Sequence, residues 1–475
     1  MTELERLALR CVLPGFEGTT APAWVLRRAA EGLGGVALFA RNVDTRAQLA
    51  GLAAELHRPR PELLVAIDEE GGEVTRLEAR TGSSYPGNLA LGVVDDPALT
   101  REVAAAIGTD LAESGIDLNL APVADVNSNP KNPIIGVRSF GSDSRTVAHH
   151  TAAWVEGMQG AGVAACAKHF PGHGDTSIDS HLELPVVSED PHLRALAPFA
   201  AAIAQGVRAV MSAHIVVPQI DSVPATASRR VMQGLLRDEL GFEGLAITDG
   251  LEMAGFSGPG GIGEDAVRAI AAGCDALCIG GGLAGEAVVD EIVATISAAV
   301  DGGRLAESRL REAASRVDQL AAWRSSHRGS SAAGRRQSGL EAARRALQVD
   351  GEVGIGAEAA VLRFPSEPSI AAGPVPWGLA DALAGRGVRV AASDVDPAAH
   401  DLAVPAKGSV VIVVRDLHRH PEQAEMIGTI LHERPDAVVV EMGLPMCRPS
   451  GALNYIATYG SARVCAQAAA EAIRP

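Results

Sequence analysis

The chain has 475 residues, of which 47% are hydrophobic and 21% are charged, and its formal net charge is −17. This length is too great for one ordinary domain, and the composition is that of a globular protein. The acidic balance argues against a nucleic-acid or anionic-membrane partner, because either would require a basic face. The sequence has no run of about 18 apolar residues, so we expect no membrane span.

The N-terminus and the cysteines predict a cytoplasmic protein. The first residues, MTELERLALRCVLPGF, lack the basic segment and the long apolar segment of a secretory signal peptide. The six cysteines lie mostly inside apolar runs, which is typical of buried free thiols in a reducing compartment. They are Cys11, Cys166, Cys274, Cys278, Cys447 and Cys465. Cys274 and Cys278 have neither a second pair nor nearby histidines, so we expect no zinc there.

Eight short apolar runs, separated by helix-like segments rich in Ala and Leu, predict the fold of the first 320 or so residues. The runs are LALRCVL (7–13), GVALFA (35–40), LLVAID (63–68), DLNLAPV (117–123), VAACAKH (163–169), AVMSAHI (209–215), LAITD (245–249) and ALCIGG (276–281). They are continuously apolar rather than alternating, which suits parallel strands buried on both faces. Segments 100–115 and 192–206 have helical spacing and end at Gly. Eight such units predict an α/β fold, an N-terminal (β/α)8 TIM-like barrel.

A Ser-, Gly- and Arg-rich stretch, RSSHRGSSAAGRRQSG (324–339), follows the predicted barrel and is typical of a linker. After a helical segment at 340–347, apolar runs return, with helical segments between them. These runs are AAVLRF (359–364), VRVAAS (388–393), VVIVVR (410–415) and AVVVEMG (437–443). We therefore predict a catalytic barrel at 1–323, a linker at 324–344 and a smaller α/β sandwich accessory domain at 345–475.

Polar residues occur where the predicted strands stop, which is where the active site of such a barrel forms. They are Asp68, Arg76, Asp125, Arg138, Lys168, His169, His214 and Asp249. A polar residue at one strand end can simply cap a loop. Its recurrence at five different strands favours a shared site.

The stretch KHFPGHGDTSIDSHLELP (168–185) concentrates histidines and aspartates. His173, Asp175, Asp179 and His181 are ligand types that suit a divalent metal ion, but their spacing matches no zinc motif. We therefore expect no metal and no other cofactor. We expect His173 and Asp175 to shape the loop through hydrogen bonds to its backbone.

A long ordered set of motifs resembles glycoside hydrolase family 3. The motifs are ALFARN (37–42), IDEEGGEVTRL (67–77), GIDLNLAPVADV (115–126), RSFGSD (138–143), AKHFPGHGDT (167–176) and PATASRRVMQGLLRDELGFEGLAITDGLEM (224–253). The segment DSH (179–181) resembles the β-N-acetylhexosaminidase branch of that family. The resemblance covers most of residues 10–300, and the second domain resembles more loosely the α/β sandwich domain that some members carry.

The resemblance implies roles for the catalytic residues. Asp249 is the implied nucleophile, which forms a covalent glycosyl-enzyme so that the β configuration is retained. His181 is the implied general acid/base and Asp179 its partner. A carboxylate beside an imidazole fixes the tautomer of the ring and favours its protonated form.

The resemblance also implies which residues bind the terminal sugar. Asp68 accepts hydrogen bonds from ring hydroxyls, and four donors crowd the same pocket, namely Arg76, Arg138, Lys168 and His169. Their positive charge helps to keep Asp249 ionised. Asp125 and His214 are expected to support these sugar-binding residues from behind. The sequence departs from the family pattern at Glu69, Glu73 and Gly250, which bears on fine specificity rather than on the catalytic groups.

The leading hypothesis is a retaining exo-β-N-acetylglucosaminidase, a glycoside hydrolase that releases terminal N-acetylglucosamine from short glycans or from muropeptide fragments in peptidoglycan recycling. One alternative is a phosphorylase that uses the same residues. A second is a β-glucosidase whose acid/base comes from the second domain, with Glu441 the nearest candidate. A third is a catalytically silent sugar-binding protein. The sequence favours no particular oligomeric state.

Overall fold

The structure is a computed structural model that describes residues 1–474 except 181, 259, 281–284, 328–335, 375 and 398–403. Within these ranges, no helix combines the length and the hydropathy that a membrane span requires. All six cysteines are free thiols, of which Cys447 is partly exposed and the other five are buried.

A curled parallel sheet occupies the first 280 or so residues. Its strands in the described part of the chain are β1 (Val12–Pro14), β2 (Gly35–Leu38), β3 (Leu64–Ile67), β4 (Leu118–Asn119), β5 (Ala164–Phe170), β6 (Ala209–Ser212), β7 (Leu245–Thr248) and β8 (Leu277–Ile279). Strands β2 to β7 pair in chain order. Strand β8 meets β7 at the parallel bridge between Ile247 and Ala276, and it pairs with β1. The sheet thus curls until its first and last strands are neighbours.

Helices connect these strands and pack on the outside of the sheet. They are α1 (Glu3–Arg10), α2 (Ala23–Glu31), α3 (Arg46–His57), α4 (Asn88–Val94), α5 (Pro97–Glu113), α6 (Ser144–Gly160), α7 (Leu196–Ala204), the π-helix Arg230–Glu239, α8 (Gly261–Ala272), α9 (Glu286–Asp301) and α10 (Glu307–His327). The boundaries of α5 follow from local chemistry. Asp96 caps its N-terminus by accepting the N–H groups of Ala98 and Leu99, and Pro97 is its first residue.

Alternate residues of each strand enter two different cores. Val65 and Ile67 of β3 face the outer helices, whereas Leu64 and Ala66 face the space that the curled sheet encloses. Val317, Leu320 and Ala321 of α10 pack into this inner core. Because successive side chains of a strand point to opposite faces, continuous apolar runs are what a sheet buried on both sides requires.

The first predicted strand is partly wrong. Residues 7–10 belong to α1, and the strand begins only at Val12. Thr2 and Glu5 form a reciprocal capping box that starts a helix ahead of the apolar run, and this local signal outweighs the β-propensity of the run. Six of the other seven predicted strands contain the observed one, and β5 extends one residue beyond its predicted end, to Phe170.

A second sheet has the order β11-β10-β12-β13-β14-β9, with β9 antiparallel to its neighbour. Its strands are β9 (Gln348–Asp350), β10 (Glu358–Arg363), β11 (Arg389–Asp394), β12 (Ser409–Val414), β13 (Val438–Glu441) and β14 (Asn454–Ala457). Helices α12 (Leu379–Gly385) and α14 (Arg463–Ile473) cover one face, and α13 (Pro421–Glu433) covers the other. The sequence predicts β10 to β13 but not β9 and β14.

The predicted linker 324–344 overlaps two helices. Helix α10 continues to His327, and α11 spans Ser338–Ala346, while residues 328–335 lie outside the described part of the chain. Arg324, at the start of the predicted linker, is buried and forms an ion pair with Asp117. The division of the chain at 323 and 345 stays a prediction.

Candidate active site

A cavity of about 360 Å³ lies at the C-terminal ends of the parallel strands, in the size range of small-molecule sites. Six of the eight polar residues predicted at strand ends line it, namely Asp68, Arg76, Arg138, Lys168, His169 and Asp249. The structure places Asp125 and His214 behind this wall. The structure therefore brings these six residues together at one cavity.

A buried network of charges forms one part of the wall. Arg138 donates two hydrogen bonds to Glu70, at 2.9 and 2.8 Å. The Nζ atom of Lys168 lies 2.7 Å from Asp68 Oδ1 and 2.7 Å from Glu70 Oε1. Glu70 is 4% exposed and Lys168 2%, so these groups interact in a medium of low dielectric constant. The sequence analysis missed Glu70, although it lies two residues after Asp68 and beside the GG pair.

The network keeps its members charged. Burial alone would lower the pKa of Lys168, but the carboxylates of Asp68 and Glu70 outweigh burial and raise that pKa above its ordinary value. Burial alone would raise the pKa of Glu70, but Arg138 and Lys168 hold it well below its usual range. The wall therefore presents fixed cations and carboxylates to a ligand.

Asp125 orients His169. Its carboxylate accepts a hydrogen bond from Nδ1 of His169 at 2.7 Å and another from the backbone N–H of His173 at 2.6 Å. Burial alone would raise the pKa of Asp125, but the neighbouring imidazoles of His169 and His173 lower it. The buttressing role expected for Asp125 fits these contacts.

Asp249 follows β7 and lines the cavity. Its Oδ1 atom accepts the backbone N–H of Gly250 at 2.8 Å, and its own N–H donates to the carbonyl of Ser212 in β6 at 3.2 Å. Strand β7 and this neighbouring strand thus fix the backbone of Asp249. A rigid element positions a reacting group better than a loop does.

His214 supports the same strand end. Its Nε2 atom donates to the carbonyl oxygen of Gly250 at 2.9 Å, and Nδ1 lies 2.9 Å from Thr226 Oγ1. A side chain at Gly250 would meet Met253 at 3.4 Å and Glu252 at 3.5 Å, which is ordinary contact. Space therefore does not require glycine here, and its presence leaves the cavity wider beside Asp249.

The loop after β5 carries the predicted acid/base dyad. Ser180 lines the cavity, and His173 contacts Thr176 Oγ1 at 2.7 Å and Ser180 Oγ at 3.1 Å. Asp175 accepts the N–H groups of Ser188 and Glu189. The bonds of Asp175 are hydrogen bonds to the loop backbone, as predicted, whereas the imidazole of His173 binds side-chain hydroxyl groups instead. His181 lies outside the described residues, so its pairing with Asp179 stays a prediction.

The second sheet also contributes to the cavity. The segment Ile370–Pro374, which precedes α12, lines it. The Nη2 atom of Arg76 donates to the carbonyl oxygen of Ala371 at 3.0 Å and lies 3.6 Å from Asp68 Oδ2. Sequence reasoning missed this segment because its residues carry no chemical signal. It also missed Glu252, which lines the cavity and accepts the N–H of Gly280 at 2.9 Å.

Glu69 and Glu73, two departures from the family pattern, do not line this cavity. Glu69 accepts the N–H groups of Arg76 and Leu77 at 2.8 and 3.0 Å, and burial raises its pKa to about 7. Glu73 is buried against Arg415 and Ser461 of the second sheet. Both residues shape the loop after β3 rather than contact a ligand.

Glu441, the candidate acid/base from the second domain, does not line the cavity. It ends β13 and is 1% exposed. Its carboxylate accepts the backbone N–H groups of Asp416, Leu417 and Gly443, at 2.8, 3.2 and 2.7 Å. These bonds turn its oxygen atoms towards the loops of the second sheet.

Comparisons with known proteins agree with the resemblance seen in the sequence. The model of the glycosyl hydrolase family 3 N terminal domain matches residues 21–320. Beta-hexosaminidase A of Pseudoalteromonas piscicida is 35% identical over 316 residues, which are 61% of this chain and 53% of that protein. The chain thus spans about half the length of that relative.

Two solved structures are similar to this one. A family 3 beta-N-acetylglucosaminidase from Paenibacillus sp. str. FPU-7 is 32% identical with a TM-score of 0.87, and the match covers 99% of this chain and 96% of that chain. The beta-N-acetylhexosaminidase from Beutenbergia cavernae DSM 12333 is 32% identical with a TM-score of 0.61, over 68% of this chain and 99% of that chain. The chain belongs to glycoside hydrolase family 3.

Proposed function

We propose that the protein is a retaining exo-β-N-acetylglucosaminidase that releases terminal N-acetylglucosamine from short glycans or muropeptide fragments. The observation that carries this proposal is Asp249 in a small cavity that also presents Asp68, Arg138 and Lys168. The DSH segment at 179–181 and the names of the relatives support the N-acetyl specificity. In this account the curled sheet is a (β/α)8 barrel, residues 345–475 are an α/β sandwich accessory domain, and the site of action is the cytoplasm.

The proposed reaction has two displacements. In the first, the carboxylate of Asp249 attacks the anomeric carbon while protonated His181 gives its proton to the leaving oxygen. In the second, His181 removes a proton from water, which attacks the same carbon and releases Asp249. Asp179 holds the imidazole of His181 in orientation and stabilises its protonated form. No step uses a metal or a cofactor.

The charged wall has two tasks in this mechanism. Its carboxylates and cations offer acceptors and donors for the sugar hydroxyls, and fixed dipoles need no reorganisation as the transition state forms. Besides Asp249, the cavity is lined by four cations and three carboxylates, namely Arg41, Arg76, Arg138 and Lys168 against Asp68, Glu70 and Glu252. The surplus positive charge favours the ionised form of the nucleophile.

The size and the wall of the cavity support exo action. The segment Ile370–Pro374 forms part of the wall, and the bond from Arg76 to Ala371 ties it to the loop after β3. A cavity of about 360 Å³ with such a wall has room for a terminal residue rather than for a continuing polymer.

Initial rates with p-nitrophenyl β-N-acetylglucosaminide and the corresponding β-glucoside test the proposal. We expect the N-acetyl substrate to be preferred and Asp249→Asn to lower kcat by roughly 10³-fold or more. Preference for the glucoside would contradict the proposed specificity. An unimpaired Asp249→Asn variant would contradict the proposed nucleophile.

The same assay separates the hydrolase from the phosphorylase alternative. With phosphate present, the proposed hydrolase releases free N-acetylglucosamine at an unchanged rate. Phosphate-dependent release of N-acetylglucosamine 1-phosphate would identify a phosphorylase instead. Release of N-acetylglucosamine from purified muropeptides, compared with chitobiose, then tests the proposed natural substrate.

A further inference from the structure

The loop between Asp68 and Arg76, here called the β3 loop, faces two ways. It carries Asp68, Glu70 and Arg76 to the cavity wall. Between them, Glu73 is 6% exposed and points to the second sheet. Three of the cavity's charged side chains therefore depend on the conformation of one short segment.

Glu73 is held by two residues that are more than 340 positions away in the chain. Its Oε2 atom forms an ion pair with Arg415, which directly follows β12. Its Oε1 atom accepts a hydrogen bond from Ser461 Oγ, in the loop before α14, at 2.9 Å. Because a buried charge left without its partner is strongly unfavourable, these contacts constrain the position of Glu73.

The backbone of the β3 loop transmits this constraint. Gly71 and Gly72 have φ angles of 78° and 62°, a region that favours glycine. Gly72 also packs so closely on Gly87 that a Cβ atom would lie 2.6 Å from the Gly87 Cα. The two glycines fix a tight turn between Glu70 and Glu73, so displacement of Glu73 displaces the side chains at the cavity.

We propose that Arg415 is a positioning residue for the sugar pocket. Through its buried pair with Glu73, the second sheet holds the β3 loop in the conformation that presents Asp68, Glu70 and Arg76 to the sugar. This inference rests on the proposed function, since it takes N-acetylglucosaminides as the ligand. It gives the second sheet a part in substrate binding, although neither Arg415 nor Glu73 lines the cavity.

The test compares Arg415→Met with a matched control, Arg237→Met. Arg237 is also buried against a buried carboxylate, Asp275, at 2.6 Å. That pair lies at the opposite ends of the strands, because Asp275 precedes β8 and accepts the N–H of Ala246 in β7. Both substitutions remove a buried guanidinium, but only Arg415→Met affects the β3 loop.

Kinetics distinguish positioning from general stability. We expect Arg415→Met to raise KM for p-nitrophenyl β-N-acetylglucosaminide about 10-fold while kcat falls less than about 3-fold, because Asp249 directly follows β7 and is not part of the β3 loop. Arg237→Met is expected to lower the thermal midpoint and leave KM within about 2-fold of wild type. Arg415→Lys retains the positive charge and is expected to restore most of the KM change.

Amide hydrogen exchange without substrate supplies a measurement that does not depend on activity. We expect residues 68–77 to exchange faster in Arg415→Met than in wild type, and at the wild-type rate in Arg237→Met. If Arg415→Met does not fold, the double variant Arg415→Ala/Glu73→Gln takes its place, because it removes both buried charges together. The same changes in KM and in the exchange of residues 68–77 are then expected of the double variant. Wild-type exchange of residues 68–77 in the folded variant overturns the inference, as does an unchanged KM. If the wild-type protein turns over neither glycoside, the proposed function is contradicted. The amide hydrogen exchange of residues 68–77 then still tests whether Arg415 positions the β3 loop.

Discussion

Replacing Glu70 by Gln is expected to destabilise the protein far more than the similar size of the two side chains suggests. The Glu70 carboxylate accepts hydrogen bonds from Arg138 at 2.9 and 2.8 Å and lies 2.7 Å from Lys168 Nζ. Glutamine removes the negative charge and turns an amide donor towards these donors. Loss of one partner of a buried ion pair costs roughly 3–5 kcal/mol. Asp68 still compensates Lys168, so we expect the lower end, about 3 kcal/mol.

Thermal unfolding followed by circular dichroism at pH 7 measures this effect. The control is Glu264→Gln, because Glu264 also accepts two hydrogen bonds from one arginine, Arg304, at 2.7 and 2.9 Å, but on the exposed surface. We expect Glu70→Gln to lower the midpoint by about 3 °C, because the unfolding entropy of a chain of this length is about 1 kcal/mol per kelvin. Glu264→Gln is expected to change it by less than about 1 °C, because exposed pairs contribute little. Equal shifts in the two variants would refute the reasoning.

The pH dependence gives the same prediction a second check. The pKa of Glu70 in the folded protein is held below its ordinary value of 4.5. The stability that this carboxylate contributes is therefore complete above pH 4.5 and is lost as the pH falls further. The difference in midpoint between wild type and Glu70→Gln should narrow in acid.

Three further predictions follow from individual contacts. Asp68→Asn removes the charge that pairs with Lys168 at 2.7 Å, and initial rates should show kcat/KM for the N-acetyl substrate about 10²-fold lower. Burial lowers the pKa of His173 from 6.5 to about 4. Between these two pH values the unfolded chain binds a proton that the folded protein does not, so the free energy of unfolding falls as the pH drops from 6.5 to 4. Thermal midpoints of His173→Gln should fall less over that interval than those of wild type. Glu441→Gln should leave initial rates within about 2-fold of wild type, whereas loss of a true acid/base costs roughly 10²-fold or more.

The strand-end residues could be predicted from the sequence because they depend on local information. An apolar run indicates a buried parallel strand, and the first polar residue after it lies at the edge where such a sheet binds ligands. Asp68, Lys168 and Asp249 are the first charged residues of their runs, His169 is the next residue after Lys168, and all four line the cavity.

The contributions of the second sheet could not be predicted in this way. Ala371 and Arg415 reach the β3 loop across some 300 residues of chain, and neither has a spacing or a residue type that indicates such a contact. Strand β9 has a single apolar residue, Val349, between Gln348 and Asp350, so no apolar run indicates it, and β14 begins at Asn454 and has only three apolar residues. The helix at Glu3–Arg10 was missed because its capping residues precede the apolar run that was interpreted as a strand.

The proposed covalent intermediate at Asp249 is tested most directly by trapping it. A 5-fluoro derivative of β-N-acetylglucosaminyl fluoride should react with the enzyme and turn over slowly, because the ring fluorine destabilises the oxocarbenium-like transition state of the second displacement. Mass spectrometry of the intact protein and of its peptides is then the measurement. We predict the addition of one fluorosugar, located on Asp249 and absent from Asp249→Asn. A label on a different residue, or an active enzyme that takes up no label, would contradict the account.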